Sequence, residues 1–326
     1  MKVPIPKTWE TELSSLGNKP AVWESLLENN NLPYMAMMQN LRNIWKSGIK
    51  DEYHQKCIDN IKKSALVVNA KMLPFQYFSA LSTLDQMEKD PQLESKQKYM
   101  LPKYKAAVDQ AIKISIDKNL PQLKGHTVIF ADVSGSMSRR ISGEKSYGSV
   151  RTCKEAAILL GLMIRIKCKK CTFFVFSSPD QHNKCYLEVK LKGYDILKNI
   201  KEINEVANKL GIWTQFPYEC IIELQKNNVK VDNIIILSDM IISPGHRDNH
   251  CHGLSVNGVI NDYRNHINFK LKVFTVNLMG YGMDLSMGDE FNEENFIKIN
   301  GTSDGILKFI AFREEGQIDV IRSYEG

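Results

Sequence analysis

Short apolar runs alternate with amphipathic segments through the last two thirds of the chain, and this alternation constrains the fold most strongly. Val231–Leu237, which contains the continuous apolar run Ile234–Leu237, and the largely apolar Leu271–Leu278 are typical of strands buried on both faces of a parallel sheet. Glu155–Ile166 and Ile196–Leu210 carry apolar residues at helical spacing. Strands separated by helices predict an α/β domain with a mostly parallel sheet flanked by helices on both faces. Further strands are expected at His126–Ala131, Cys171–Ser177 and Tyr186–Leu191, and a further helix at Phe216–Gln225.

The first 120 residues carry helical patterns and little else. Apolar residues recur at helical spacing in Tyr34–Lys46 and in Asp51–Val68, and shorter helices are expected at Val22–Glu28 and Lys103–Asp117. Short helices joined by short links predict an α-helical, HEAT-like segment. We therefore expect two domains, a helical segment at 1–120 and the α/β domain at 121–326, with a linker near 119–125.

Composition excludes several classes of protein. The chain has 326 residues, of which 43% are apolar and 25% charged, so we expect a globular protein of about two domains. It contains no apolar run long enough to span a membrane, and its start lacks the apolar core of a secretory signal. Seven cysteines, an odd number, indicate free thiols in a reducing compartment. We expect a cytoplasmic location, with the nucleus as an alternative.

Oxygen-bearing side chains follow two of the predicted strands. The first strand runs into Asp132, Ser134 and Ser136, and Val231–Leu237 runs into Ser238 and Asp239. Ligands bind outside the carboxyl ends of strands in open α/β sheets, so these groups are expected at one edge. Thr214 supplies a third hydroxyl from a loop between two helices. Three hydroxyls and two carboxylates suit Mg²⁺ or Mn²⁺. The alternative is that the serines cap the next helix and the aspartate only ends a strand.

This pattern resembles the von Willebrand factor A domain over residues 123–326. In that family it forms the metal-ion-dependent adhesion site, which keeps an open position on the ion for an oxygen of a partner. The resemblance implies that Ser134, Ser136 and Thr214 supply hydroxyls, and that Asp132 and Asp239 supply carboxylates.

A second resemblance lies in the helical segment. Leu32–Asn43, which reads LPYMAMMQNLRN, is similar to a helix of the TROVE module, although Gln39 stands where that family often has arginine. Ser303–Ala311 and Gln317–Arg322 resemble the ends of TROVE proteins in the Ro and telomerase- and vault-associated group. The helical segment here is shorter than that of the family. The resemblance implies a ribonucleoprotein component that binds a small non-coding RNA, of the Y, vault or telomerase RNA class.

Basic side chains in the helical segment offer a surface for such an RNA. Residues 1–125 hold 18 basic and 13 acidic residues, a net charge of +5, which permits RNA binding without requiring it. We predict a strip along one helix face at Arg42, Lys46 and Lys50, continued by Lys62 and Lys63. Arg139 and Arg140 flank the predicted metal loop. Tyr34, Tyr53 and Tyr77 are candidates for base stacking. The alternative is a solvated basic face over buried aromatic rings.

Other patterns in the sequence give weaker evidence of function. Cys168, Cys171, His182 and Cys185 have zinc-like spacing, but an expected strand of about 20 Å separates the two pairs, so we expect thiols without zinc. His246, His250, Cys251 and His252 cluster in one predicted loop, which we expect to be polar and exposed. No catalytic motif is evident, and we expect no enzyme. The alternative function is a metal-dependent module that clamps an acidic protein partner, with the helices as a scaffold.

Overall fold

The computed structural model describes residues 7–72, 74–91, 98–141, 152–179, 184–241, 255–279, 295–301 and 305–314. The chain divides into two units, Met1–Asn119 and Leu120–Gly326. In the ranges just given, no helix combines the length and the apolar character that a bilayer crossing requires.

The first unit is helical where it is described. Its helices are α1 Trp9–Leu16, α2 Pro20–Glu28, α3 Tyr34–Gln39, α4 Leu41–Ser47, α5 Asp51–Lys62, α6 Ser64–Ala70, α7 Pro74–Lys89 and α8 Leu101–Asn119. The helical segment expected at the start of the chain is confirmed. Long α8 packs against α5, α6 and α7, and this contact gathers the apolar faces of the unit.

Two of the predicted helices are each interrupted once. The pattern across Tyr34–Lys46 forms α3 and α4 because Asn40 leaves helical geometry, and its side-chain amide donates to the carbonyl of Ala36 at 2.9 Å. The pattern across Asp51–Val68 forms α5 and α6 because Lys63 is extended, with φ −72° and ψ 111°. The prediction of single helices here was wrong, since apolar spacing continues across a one-residue break.

Aromatic rings fill the core of the first unit. Tyr34 and Tyr77 are buried, with their ring centroids 6.3 Å apart, and the Tyr34 hydroxyl donates to the carbonyl of Ile61 at 2.8 Å. Trp45 packs against His54 and Tyr104, with centroid distances of 4.8 and 5.1 Å. The stacking role considered for Tyr34 and Tyr77 was therefore wrong, because neither ring is available to a base.

The second unit contains a six-stranded sheet of order β3-β2-β1-β4-β5-β6. Its strands are β1 Leu123–Asp132, β2 Cys168–Phe176, β3 Tyr186–Glu188, β4 Asn233–Ser238, β5 Lys272–Asn277 and β6 Phe296–Asn300. Every pairing is parallel except that of β3 with β2. The helices are α9 Cys153–Lys167, α10 Ile196–Ala207, α11 Tyr218–Lys226, α12 Val256–His266 and α13 Gly305–Glu314. The α/β fold with a mostly parallel sheet is confirmed.

Helices cover both faces of this sheet. Phe130 and Ile236 belong to a cluster that includes Ile221 of α11 and Ile260 of α12. On the other face, α9 approaches so closely that a methyl group added at Gly161 would lie 2.7 Å from the Phe173 ring and 3.4 Å from Leu237. Successive residues of the central strands therefore pack against different helices, which accounts for the apolar run in β4.

Candidate functional site

The direction of the chain across the sheet reverses between β1 and β4. From β1 the chain moves outwards to β2 and β3, then returns to the other side of β1 and continues through β4, β5 and β6. Asp132 ends β1 and Ser238 ends β4, with Asp239 immediately after it. The predicted carboxylates therefore lie at the topological switch point, where ligands bind in sheets of this kind.

Asp132 is completely buried and held by two hydrogen bonds. The backbone N–H of Ser134 donates to its Oδ1 at 2.9 Å, and the hydroxyl of Ser238 donates to its Oδ2 at 2.6 Å. Burial raises the pKa of Asp132 to about 6, and the negative charge of Asp239 adds to that increase. Within the described ranges, both of these donors are neutral and no cation is among the groups that shift this pKa.

Asp239 has one partnered and one unpartnered carboxylate oxygen. It is 3% exposed, and its Oδ1 accepts from the N–H of Ile241 at 3.1 Å. Its Oδ2 is buried without a hydrogen-bond partner among the described residues. Its backbone N–H donates to the sulfur of Met137 at 3.2 Å. Leaving a buried carboxylate oxygen unpartnered is costly, and a bound cation would remove that cost.

The three predicted hydroxyls lie on two loops that are joined at this edge. Ser134 Oγ and Ser136 Oγ are 3.2 Å apart, and Ser134 is buried. Thr214 is also buried, and its loop is fixed because the N–H of Gly135 donates to the carbonyl of Ile212 at 2.7 Å. Neither serine caps a helix, because α9 is capped by Thr152 and the 3-10 turn at Gly135–Ser138 has no side-chain cap.

This donor set fits a hard divalent cation. Two buried carboxylates, neither of them in an ion pair with a described residue, lie with hydroxyl oxygens at the same end of the sheet. One carboxylate oxygen of Asp239 has no hydrogen-bond partner in the described part of the chain. Oxygen ligands of this kind suit Mg²⁺ or Mn²⁺, and two negative charges just balance the ion. An ion whose charge is balanced by two carboxylates, and whose other protein ligands are weakly donating hydroxyls, retains affinity for one more anionic oxygen.

Three residues beside this centre have roles that the sequence did not predict. Ser238 orients Asp132, and its position next to Asp239 was the available signal. Met137 accepts from Asp239, which no sequence pattern indicates. Cys153 is buried, and burial raises the pKa of its thiol to about 11, with the charge of Asp239 adding and that of Arg139 opposing.

The predicted basic strip is only partly present. Arg42 and Lys46 are exposed and lie four residues apart on α4, so they share a face. Lys50 was wrongly placed on that helix, because Gly48 ends α4 in a left-handed conformation and Lys50 precedes α5. Lys62 ends α5 and pairs with Asp59 at 3.0 Å. Lys63 is exposed between α5 and α6.

Arg139 and Arg140 are exposed and directly follow the 3-10 turn that contains Ser136. The structure therefore places both guanidinium-bearing residues in the segment that starts at the candidate metal centre.

The cysteine and histidine clusters form no metal site within the described ranges. There, no three His, Cys, Asp or Glu side chains converge on a common point. Cys168 begins β2, whereas Cys185 is buried beyond its far end. The remaining members, His182, His246, His250, Cys251 and His252, lie outside the described residues.

Comparisons with known proteins find a family similarity in the first part of the chain. Residues 1–99 match the TROVE domain family model. Telomerase protein component 1 of Mus musculus is 41% identical over 96 residues, covering 29% of this chain and 4% of that protein. The Rattus norvegicus protein of the same name is 40% identical over 96 residues, with the same coverage. The chain thus spans only a small part of these relatives.

A solved structure extends the similarity to most of the chain. The crystal structure of the Deinococcus radiodurans RO (RSR) protein matches with a TM-score of 0.64 over 91% of this chain and 55% of that one, at 14% identity. At that identity the match concerns the fold alone. Residues 1–99 of the chain are therefore similar to the TROVE domain, and most of the chain shares its fold with a Ro protein.

Proposed function

We propose that the protein is a non-catalytic RNA-binding component of a ribonucleoprotein particle. The TROVE match over residues 1–99 carries this proposal, and relatives of that segment are named as telomerase components. In this proposal the helical unit binds a small structured RNA of the Y, vault or telomerase class. The α/β unit holds Mg²⁺ or Mn²⁺, and the ion accepts a phosphate oxygen.

The basic side chains of α4 support the first half of the proposal. Arg42 and Lys46 are exposed on one face, and neither makes an ion pair with another described residue. Exposed basic side chains that form no ion pair can neutralise phosphates without first breaking a contact within the protein. Lys62 contributes less, because it already pairs with Asp59.

The geometry of the switch point supports the second half. Asp132 and Asp239 would bind the ion through their carboxylates, with the hydroxyls of Ser134, Ser136 and Thr214 completing the protein ligands. A bound ion supplies an electrophilic position for an anionic oxygen, while Ser238 holds the Asp132 carboxylate in place.

Salt titration tests the RNA-binding surface. We expect affinity for a small structured RNA to fall steeply between about 50 and 200 mM salt, because several phosphates are neutralised. Arg42→Glu with Lys46→Glu should weaken binding and flatten the salt dependence. The control is Lys198→Glu with Lys201→Glu, an equal charge change on the exposed side of α10. Unchanged RNA binding by the Arg42 and Lys46 double variant would reject the α4 surface.

Thermal stabilisation by Mg²⁺ tests the metal centre separately. Asp239→Asn keeps the oxygen that accepts from Ile241 but removes the charge, so the variant should fold and lose the Mg²⁺-dependent rise in Tm. Asp262→Asn, at an exposed position on α12, should retain the rise. If an acidic protein and not RNA occupies the ion, chelation will abolish protein capture and leave RNA affinity unchanged.

A further inference from the structure

Two large apolar side chains stand exposed beside the candidate metal centre. Ile212 is 70% exposed and Trp213 is 77% exposed, and Thr214 follows them directly. Tryptophan is strongly apolar, so leaving its indole in water forgoes a stabilising contact. Trp23 and Trp45, by contrast, are buried in the helical unit. Because Trp213 directly precedes a predicted metal ligand, its exposure points to a role in binding.

The backbone beneath these side chains is held firmly. Ser177 Oγ lies 2.6 Å from the carbonyl oxygen of Gly211 and 2.7 Å from that of Trp213. The N–H of Trp213 donates to the hydroxyl of Ser178 at 3.1 Å. A Cβ at Gly211 would lie 2.1 Å from that same hydroxyl, so the close approach of the loop depends on glycine. The exposed ring is thus presented from an ordered loop, and binding to it costs little backbone entropy.

The same loop is hydrogen-bonded to the loop that carries Ser134 and Ser136. The carbonyl of Ile212 accepts from the N–H of Gly135, which lies between Ser134 and Ser136. A partner atom on the ion therefore has the Ile212–Trp213 loop beside it. Arg139 and Arg140 are exposed in the chain segment that leaves Ser136.

We propose that Trp213 is a stacking platform for a base of single-stranded RNA whose neighbouring phosphate binds at the metal centre. The inference rests on the proposed function and adds the ligand class for this site. One flat aromatic ring, a site for an anionic oxygen and two exposed arginines match the repeating base and phosphate of a nucleotide strand. Neither Arg139 nor Arg140 forms an ion pair with another residue that the structure describes, and a single protein carboxylate on the ion would offer them no anion, which favours RNA.

Binding of two ten-residue probes in Mg²⁺ tests the platform. One probe is single-stranded uridine RNA, and the other is an abasic ribose-phosphate chain of equal length. Trp213→Ala should weaken uridine RNA binding by about tenfold, the size of one lost base stack, and leave abasic binding almost unchanged. Trp213→Phe should retain most of the affinity. Phe269→Ala, which removes another exposed aromatic ring (73% exposed), should have no effect on either probe.

Tryptophan fluorescence supplies a second readout. Uridine RNA should quench the emission of the wild-type protein, and Trp213→Phe should lose that quenching while still binding. Equal affinity of wild type and Trp213→Ala for uridine RNA would overturn the platform alone. Equal loss of affinity for both probes would also overturn it, because a stack requires a base. Failure of the wild-type protein to bind any RNA, structured or single-stranded, would instead reject the proposed function and the platform with it.

Discussion

The hydroxyl of Ser238 donates a 2.6 Å hydrogen bond to Oδ2 of Asp132, joining residues 106 positions apart at the ends of neighbouring strands. The same hydroxyl oxygen accepts from the N–H of Met240 at 3.0 Å. One serine side chain thus fixes both the buried carboxylate of β1 and the turn that carries Asp239. Ser238 is a positioning residue for the candidate centre.

Ser238→Ala should therefore weaken both folding and metal binding. Loss of a hydrogen bond to a buried carboxylate costs about 1.5–3 kcal/mol in the free energy of unfolding at neutral pH. Removing a residue that orients a metal ligand typically lowers metal affinity by about 10- to 100-fold. Chemical denaturation and Mg²⁺ titration at pH 7.5 measure the two effects. Ser138→Ala, at an exposed site in the same region, is the control, and equal behaviour of the two variants would contradict the role of Ser238.

Binding of Mg²⁺ should depend on pH through Asp132. Its pKa is raised to about 6 by burial and the charge of Asp239, and only the ionised carboxylate binds the ion. Affinity should be constant above pH 7 and fall by up to about tenfold per pH unit below pH 6. Calorimetry at pH 6 in buffers of different ionisation enthalpy should detect release of about half a proton per ion bound. An affinity that is equal at pH 5 and pH 7.5 would exclude Asp132 as a ligand.

The sequence was sufficient to predict the elements that are buried on both sides. Ile234–Leu237 is apolar throughout because its residues meet helices on both faces of the sheet, so the strand could be recognised without tertiary information. In the α/β unit, strand β6 and helices α12 and α13 were missed. Strand β6 is a short edge strand whose last three residues are not buried, and α12 carries several polar residues, so neither gives a strong periodic signal.

The sequence was sufficient to predict where the candidate site lies, but not the hydrogen bonds that arrange its side chains. The ends of two strands put Asp132 and Asp239 at one sheet edge, and that follows from the apolar runs alone. The bond from Ser238 to Asp132 and the bond from Gly135 to Ile212 depend on how loops more than 75 positions apart pack together. The break at Asn40 was also hidden, because one residue can leave helical geometry without changing the apolar spacing around it.

Gly161→Ala tests the close contact between α9 and the sheet. The added methyl group would lie 2.7 Å from Cε2 of Phe173, so the ring or the helix must move. Overpacking of this kind typically costs about 1–3 kcal/mol, which exceeds the gain in helix propensity of about 1 kcal/mol. Gly258→Ala on α12 is the matched control, because its methyl would meet only the hydroxyl of Ser255 at 3.1 Å. A Gly161→Ala protein as stable as wild type in denaturant would show that α9 can shift freely.

His54 should make the stability of the helical unit depend on pH. Its ring packs against both Trp45 and Tyr104, and its Nδ1 is 3.1 Å from the Tyr104 hydroxyl. Burial lowers the pKa of His54 below its usual value of 6.5, although the nearby charge of Asp51 opposes this. The unfolded chain therefore binds more protons than the folded chain just below pH 6.5, so stability is complete above that pH and decreases as the pH falls.

His54→Gln keeps a hydrogen-bonding side chain beside Tyr104 but cannot take up a proton. Denaturant midpoints measured between pH 7.5 and 5.5 should therefore fall less in this variant than in wild type. His126 contributes a decrease of the same sign from the second unit, because burial lowers its pKa as well, so the variant should reduce the pH dependence without abolishing it. An unchanged pH dependence in His54→Gln would mean that the ring near Trp45 takes up protons as easily in the folded chain as in water.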